Sequence, residues 1–415
     1  MHILIVHQAF ASLDEPGGTR HHEFARLLAA RGHQVTVIAS SVSYLTGNPL
    51  PPFPQEMAGD REGGGVRVLR AFSYQAHHRS FLHRIFAFVS FMFSSFWIGL
   101  GVKNVDLVWG TSPPIFQGLT AWTLSRIKRI PFLFEVRDLW PQFAIAVGVL
   151  KNPMLIWLSE WLERFLYRNA DRVMVNSPGF VEHVRRLGAK WVELIPNGAD
   201  PSMFDPNDEG LLFRRKHGLE NKFVAMYAGA HGMSNDLNVV LEAAGILADR
   251  SDINFVLIGD GKEKPALQAR AAEIKLNNLT FLPSVPKTGM PDVLAGADAC
   301  IAILRPIEEY KRTYPNKIFD YMAAGRPVAL AIDGVIRQVV EAAGCGYFAE
   351  PGSPQALADS ISRLAQDKIK ARRMGLSGRK YLEEHFSREV IGEQLINVLA
   401  EMNVKGGRAN EQERK

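Results

Sequence analysis

Ile3-Leu4-Ile5-Val6-His7-Gln8, followed past a short loop by Gly17-Gly18-Thr19-Arg20, decides the fold. The four apolar residues, three of them β-branched, read as a strand. The glycines then open a helix over Arg20–Arg31, with Phe24, Leu27 and Leu28 on one face and Gly32 as its end. Val35–Ile38 is the next apolar run. Strand, helix and strand in this order form a unit whose two strands lie parallel.

Outward from this unit the alternation continues through Val66–Leu69, Leu107–Trp109, Phe132–Val136, Val173–Val175 and Val192–Ile195. Pro196-Asn197-Gly198-Ala199-Asp200-Pro201 then interrupts the chain without starting a new period, which places a hinge there. A second series follows, with strands at Phe223–Tyr227, Asn254–Ile258, Leu279–Phe281, Ala299–Ile303 and Val328–Leu330. Helical stretches such as Asn238–Arg250 and Pro265–Lys275 lie between them. The expected architecture is α/β, with two Rossmann-like doubly wound lobes, 1–196 and 197–385, facing across a cleft. A C-terminal helix over 386–404 is expected to return to the first lobe, and a polar, disordered tail to occupy 405–415. A chain of 415 residues exceeds what one core organises, in keeping with two lobes.

Apolar residues make up 47% and charged residues 22%, a globular balance. The 48 Lys and Arg against 43 Asp and Glu leave +5, which suits anionic substrates or an anionic membrane face and does not call for nucleic acid. The two cysteines, Cys300 and Cys345, sit in apolar or glycine-rich surroundings, so neither a disulfide framework nor a metal cluster is expected. Met1–Val6 has no basic lead-in and runs straight into a strand, so a cytoplasmic protein without a cleavable export signal is expected. One stretch complicates that expectation. Ile85–Val102 is 18 residues without charge, preceded by His77-His78-Arg79-Ser80-Phe81-Leu82-His83-Arg84. A full span would break the first sheet, which leaves two readings of an apolar helix over 81–102: a helix buried against the sheet, or one lying in the interface of a membrane.

The chemistry-bearing positions follow strands. Gly17 and Gly18 stand between the first strand and its helix, where bare N–H groups approach an anion such as a pyrophosphate. Gly229-Ala230-His231-Gly232 repeats this after the first strand of the second series, and Gly259-Asp260-Gly261 after the next. The spacing is not G-x-G-x-x-G, so a nicotinamide site is not indicated; each cluster also has the plain reading of a shaped surface loop. On the helix in Pro315-Asn316-Lys317-Ile318-Phe319-Asp320-Tyr321-Met322-Ala323-Ala324-Gly325-Arg326-Pro327-Val328, Lys317 and Asp320 share a face. The cation can meet phosphate while the carboxylate accepts from ribose hydroxyls; alternatively the two pair with each other in solvent.

Pro315–Val328, with Gly334 and Val339-Val340-Glu341, resembles the donor-site signature of the retaining glycosyltransferase family 4, whose members share the GT-B fold. The likeness extends to Gly17-Gly18, Phe24–Val37, Pro196-Asn197-Gly198, Ile258–Gly261 and Phe348–Gly352. Glu135-Val136-Arg137-Asp138-Leu139-Trp140-Pro141 is similar to a subgroup of bacterial amino-sugar transferases of the WbuB type. The resemblance implies an acceptor lobe followed by a donor-nucleotide lobe. It implies a UDP-sugar donor, an N-acetylated hexosamine or deoxyhexosamine, and metal-independent transfer. A polyprenyl-diphosphate-linked saccharide at the inner face of the cytoplasmic membrane is the implied acceptor, in O-antigen or capsule assembly.

By that resemblance Asp320 stands where the family has the second acid of its E-x7-E motif, with Lys317 beside it. Arg312 stands where the first acid belongs, leaving Glu308 or Glu309 as the acid for the donor sugar. Ala230 and Asn235 replace the usual cations after Gly229, so Lys317, Lys311, Arg312 and Arg305 are the candidate phosphate ligands. Val108–Pro114 lacks the family's histidine, and Asp138 becomes the acceptor-positioning acid, unless it pairs with Arg137 or caps the next turn. Of His21 and His22, adjacent on a helix, at most one can face the site. Two other readings stand beside a transferase: a non-catalytic partner subunit of the same fold, and a nucleotide-sugar epimerase.

Overall fold

The computed structural model describes residues 1–15, 17–43, 49–50, 65–75 and 81–412, the side chains of 81, 82 and 403–412 excepted. His77, His78, Arg79 and Ser80 of the basic cluster lie outside the described residues. The chain divides into two compact units. The first comprises Met1–Ser12, Gly17–Pro196 and Gly392–Lys415; the second comprises Leu13–Pro16 and Asn197–Ile391.

The first unit holds a parallel sheet of β1 (His2–Val6), β2 (Gln34–Ser40), β3 (Gly65–Ala71), β4 (Leu107–Ser112), β5 (Phe132–Val136), β6 (Arg172–Val175) and β7 (Val192–Leu194), in the order β3-β2-β1-β4-β5-β6-β7. Its helices are α1 (Arg20–Ala30), α2 (Phe81–Gly101), α3 (Phe116–Lys128), α4 (Gln142–Ala146), α5 (Pro153–Asn169) and α6 (Val181–Arg186). Strand order reverses between β1 and β4, and in such sheets the crevice beyond the strand ends at the reversal is where ligands bind. Right-handed crossovers put α2, α3 and α5 on one face and α1 on the other. The first three touch in series. Thr120 of α3 donates to the Met92 carbonyl of α2 at 3.0 Å, and Trp122 of α3 meets Phe165 of α5 edge-on at 4.7 Å. β1, β4 and β5 are buried along their whole length because helices or chain cover both faces.

The second unit repeats the design with β8 (Phe223–Ala228), β9 (Ile253–Ile258), β10 (Leu279–Leu282), β11 (Ala299–Ile303), β12 (Val328–Ala331) and β13 (Gly346–Phe348), in the order β10-β9-β8-β11-β12-β13, all parallel. Its helices are α7 (Leu211–His217), α8 (Leu237–Ile246), α9 (Lys264–Glu273), α10 (Met290–Ala295), α11 (Asn316–Ala323), α12 (Val335–Ala342), α13 (Pro354–Gln366) and α14 (Lys368–His385). β13 has no counterpart in the expected strands: it is three half-buried residues at the sheet edge, too short to make a periodic signal. Cys300 and Cys345 are buried and free.

The last helix, α15 (Arg388–Gln412), begins in the second unit and from Gly392 belongs to the first. There Glu393 pairs with Arg31 and Glu401 with Arg172 at 2.5 Å. Its backbone stays helical past residue 405, where composition predicts a disordered tail. Arg, Ala, Glu and Gln are good helix formers and extend a helix that packing has already nucleated.

α2 has the length and apolarity of a membrane span, yet it connects β3 to β4 of one sheet. Ala87, Phe91 and Ser95 are buried on its inner side, whereas Phe86, Phe93 and Trp97 are 59–69% exposed. The helix is therefore only partly a core element.

Gly110 sets how closely α3 approaches the sheet. A Cβ there would lie 2.5 Å from the Ala121 Cβ and 3.2 Å from the Phe132 ring. Gly110→Val is expected to lower the free energy of unfolding by about 1–3 kcal/mol, as overpacked cores do, measured by urea denaturation.

Candidate functional site

In the second unit the site grows from α11. Proline precedes the helix and Gly325 ends it at φ 64°, a left-handed conformation that favours glycine. Tyr321 pins the helix to the end of β8: its hydroxyl donates to the Ala228 carbonyl at 3.1 Å and accepts from the Ala228 N–H at 3.0 Å. One turn earlier, Lys317 Nζ donates to Tyr227 Oη at 2.8 Å and to Asn235 Oδ1 at 3.0 Å, 4.1 Å from the Tyr227 ring centre. Among the described residues its partners are all neutral, and burial pulls its pKa down to about 7. An ammonium carries three donors, so one is left over.

Asp320 pairs instead with Lys287, whose ammonium also lies 5.5 Å from the Phe204 ring. The alternative of a Lys317–Asp320 pair in solvent is replaced by two separate arrangements. The segment carrying Lys287 also walls a cavity of about 900 Å³, lined by Ile258, Leu282, Val285 and Gly289 together with Leu212 and Phe213 of α7.

The glycine loops have a reason of their own. A Cβ on Gly259 would fall 1.8 Å from the Gly229 carbonyl oxygen, and one on Gly261 2.5 Å from that of His231. The loops after β8 and β9 lie against each other and tolerate no side chain there. The amides of Gly229, His231, Gly259 and Gly261 bond within the protein; those of Ala230 and Gly232 have no internal acceptor among the described residues. In these two loops the expectation of free glycine N–H groups therefore narrows to Gly232, with Ala230 two residues before it. His231 is fully buried between Tyr227 and Phe281, with neither ring nitrogen hydrogen-bonded. Burial and the charge of Lys264 lower its pKa to about 4, so it is neutral.

The turn Glu308–Arg312 is tied to this loop by a 2.5 Å hydrogen bond between Tyr310 and Ser234, next to Asn235. Glu309 is half-buried and Arg312 exposed on that turn. Lys311 pairs with Glu308 at 2.8 Å on the surface, and the Arg305 N–H donates to the Ser234 carbonyl.

The first unit has a buried cluster at its own strand reversal. Glu135, inside β5, accepts from Arg20 Nε at 2.8 Å, His21 Nε2 at 2.5 Å and Trp109 Nε1 at 3.1 Å. The remaining Arg20 nitrogens donate to the carbonyls of Ile195 and Pro196, each at 2.6 Å. Burial works against the Glu135 charge, but His21 and Arg20 outweigh it and hold the carboxyl well below the usual range. His7, just past β1, bonds Thr111 at 2.8 Å and lies over His21 with ring centres 3.8 Å apart. Burial lowers both histidines, while the Glu135 carboxylate opposes this at His21. His22 turns to Phe10, so of the adjacent pair only His21 enters the cluster.

Asp138, two residues past β5, is half-buried; burial, opposed by the charge of Arg137, raises its pKa to about 6. Arg137 donates to the Pro113 carbonyl at 2.7 Å. Gly17 and Gly18 are exposed ahead of Thr19, whose hydroxyl bonds Glu23 of α1 at 2.5 Å. Among the described residues no three His, Cys, Asp or Glu side chains are grouped to hold a metal ion. Sequence reasoning passed over His7 and Glu135. The available signal was a carboxylate in the otherwise apolar Phe132-Leu133-Phe134-Glu135-Val136, since an acid within a buried strand needs partners.

Two doubly wound parallel sheets in one chain, each with polar groups at its strand reversal, define the GT-B class. The structure is similar to sucrose-phosphate synthase from Thermosynechococcus elongatus, with a TM-score of 0.76 at 18% identity over 97% of this chain and 99% of that one. It is also similar to HepE of Anabaena in complex with UDP-glucose, with a TM-score of 0.70 at 18% identity over 97% and 100%. Residues 17–198 match the Glycosyl transferase 4-like domain and residues 222–367 the Glycosyl transferases group 1 domain. The putative colanic acid biosynthesis glycosyl transferase WcaI of Escherichia coli is 24% identical over 396 residues, 90% of this chain and 94% of the relative. The chain belongs to the GT-B glycosyltransferases of the family-4 type.

Two expectations follow from the first unit. Glu135→Gln leaves Arg20 buried without its counter-charge and should cost about 3–5 kcal/mol in urea denaturation. Asp138 holds its proton up to about pH 6 when folded, against roughly 3.9 when unfolded. Stability should therefore fall as pH rises through that window, and this fall should be absent in Asp138→Asn, read as unfolding midpoints against pH.

Proposed function

We propose that the protein is a retaining transferase that moves an N-acetylated hexosamine or deoxyhexosamine from a UDP-sugar to a lipid-linked saccharide in bacterial surface polysaccharide assembly. The observation that carries the reading is Lys317: a lysine held near neutrality among neutral partners, with one donor to spare. A diphosphate set against it supplies the missing counter-charge, draws a proton onto the amine, and is stabilised most as charge builds up on the leaving group. The amides of Ala230 and Gly232 add dipoles, and Arg312 and Arg305 further positive charge. Asp320, oriented by Lys287, accepts from the ribose hydroxyls, and Glu309 from the donor sugar. The reading assigns leaving-group stabilisation to these groups without a metal.

Departure of the diphosphate followed by attack on the same face gives retention and needs positioning more than a strong base. Asp138, near pH 6, is suited to orient the acceptor hydroxyl and take its proton. The buried His7–His21 pair on Glu135 supports the start of α1 from beneath. A UDP-sugar is favoured by the likeness to HepE, solved with UDP-glucose, and polysaccharide assembly by the likeness to a colanic acid transferase. The exposed Phe86, Phe93 and Trp97 of α2 suit an interfacial helix at the inner face of a membrane, where a polyprenyl-diphosphate-linked acceptor resides.

A thermal-shift panel of UDP-, GDP-, ADP- and TDP-sugars tests the donor. Stabilisation by UDP-sugars alone, lost in Lys317→Met and Asp320→Ala, is expected; selection of a GDP-sugar would overturn the donor class. At about pH 8, UDP binding to the wild type should take up protons, read from calorimetric heats in buffers of different ionisation enthalpy, and Lys317→Met should abolish the uptake. Binding without uptake would remove Lys317 from the phosphate.

A further inference from the structure

α5 carries Met154, Trp157, Leu158 and Trp161 on one side, at spacings of three and four residues, and all four stand in solvent at 45–75% exposure. Its opposite side, with Leu162, Leu166 and Tyr167, is already buried in the core. The stripe is thus a second apolar face on a helix whose folding role is fulfilled by the first. Two solvent-facing tryptophans one helical turn apart, in an apolar row, mark a contact surface.

The exposed charges along the stripe are mostly basic. Arg164 and Arg168 continue it along α5 and Lys151 precedes it, all exposed, and at the far end of the helix Arg126 of α3 donates to the Asn169 carbonyl at 2.8 Å. The acid on this part of α5, Glu160, is paired with Arg164 at 3.3 Å. Tryptophans bordered by guanidinium and ammonium groups fit the boundary between hydrocarbon and anionic headgroups, where the indole has an apolar body and a polar N–H and the cations meet phosphate. The stripe also continues sideways. Trp161 stacks on Phe165 at 5.5 Å, Phe165 meets Trp122 of α3, and α3 packs on α2.

We propose that the α5 stripe is a second membrane-contact site, so that the first unit sits on an anionic bilayer through the α2–α3–α5 layer and not through α2 alone. The proposal extends the interfacial reading of α2 and rests on it for the membrane as partner. One apolar helix in an interface leaves the protein free to roll about the helix axis. A second contact line across the layer removes that freedom and fixes which way the strand ends face.

The test is co-sedimentation of the full chain with phosphatidylcholine vesicles containing phosphatidylglycerol, and with phosphatidylcholine alone. It compares Trp157→Ser/Trp161→Ser, Lys151→Glu/Arg164→Glu, and Phe93→Ser/Trp97→Ser of α2. Wild-type binding to the anionic vesicles, weakened by salt, is expected to fall on the order of tenfold or more in both α5 variants, with unfolding midpoints kept. Undiminished binding of the α5 variants, with loss only in the α2 variant, overturns the α5 site and leaves the α2 reading intact. Loss in the α5 variants with an unaffected α2 variant has the reverse meaning. No binding of wild type to either vesicle overturns both. A wild-type dimer in sedimentation velocity that Trp157→Ser/Trp161→Ser converts to monomer reassigns the stripe to contact between copies.

Discussion

A carboxylate buried inside a parallel sheet is the constraint around which the first unit is arranged. Glu135 has no access to water, and an isolated charge in such a place costs far more than one hydrogen bond returns. Three elements therefore converge on it: α1 through Arg20 and His21, β4 through Trp109, and, by way of the same arginine, the carbonyls that close the unit at Ile195 and Pro196. The ion pair fixes the start of α1 against the end of β5, and so fixes where Gly17-Gly18 enter and Asp138 emerges. His7 stacked on His21 extends this polar interior to the end of β1.

The second unit meets the opposite condition. Lys317 is desolvated without a carboxylate, so its charge is only partly maintained. The lost stabilisation stays available to an anionic ligand, which is the form that preorganised electrostatics takes at a binding site. Asp320 has a counter-ion in Lys287. The two side chains, three residues apart on one helix, thus have neutral partners in one case and a cation in the other because different segments reach them: Tyr227 and the loop to Asn235 reach Lys317, and the segment after β10 reaches Asp320.

The surface of the first unit carries a separate kind of information. α2 and α5 each bury one face and expose another rich in aromatic residues. Folding alone does not demand the outer faces, since the parallel sheet is covered by the inner ones. Their common layer and the basic residues around α5 bear on where the protein sits, independently of the chemistry at the strand ends.

The sequence by itself determined the α/β class, the two doubly wound sheets and the family, because apolar period, glycine punctuation and the Pro315–Val328 signature are local. Ile3–Val6, Phe132–Val136 and Phe223–Tyr227 were legible as strands, while β13 was not, being three edge residues without a period. The sequence also put Lys317 and Asp320 on one helix face. Only the tertiary structure decided their partners, since Tyr227, Asn235 and Lys287 lie 30 to 90 positions away in the chain. It alone showed that Gly259 and Gly261 are glycines because a neighbouring loop's carbonyls occupy the space a Cβ would need. It alone brought His7, His21 and Glu135 together, and showed that Trp157 and Trp161 face solvent. Spacing fixes which side of a helix a residue takes; what that side meets depends on the packing of segments distant in sequence.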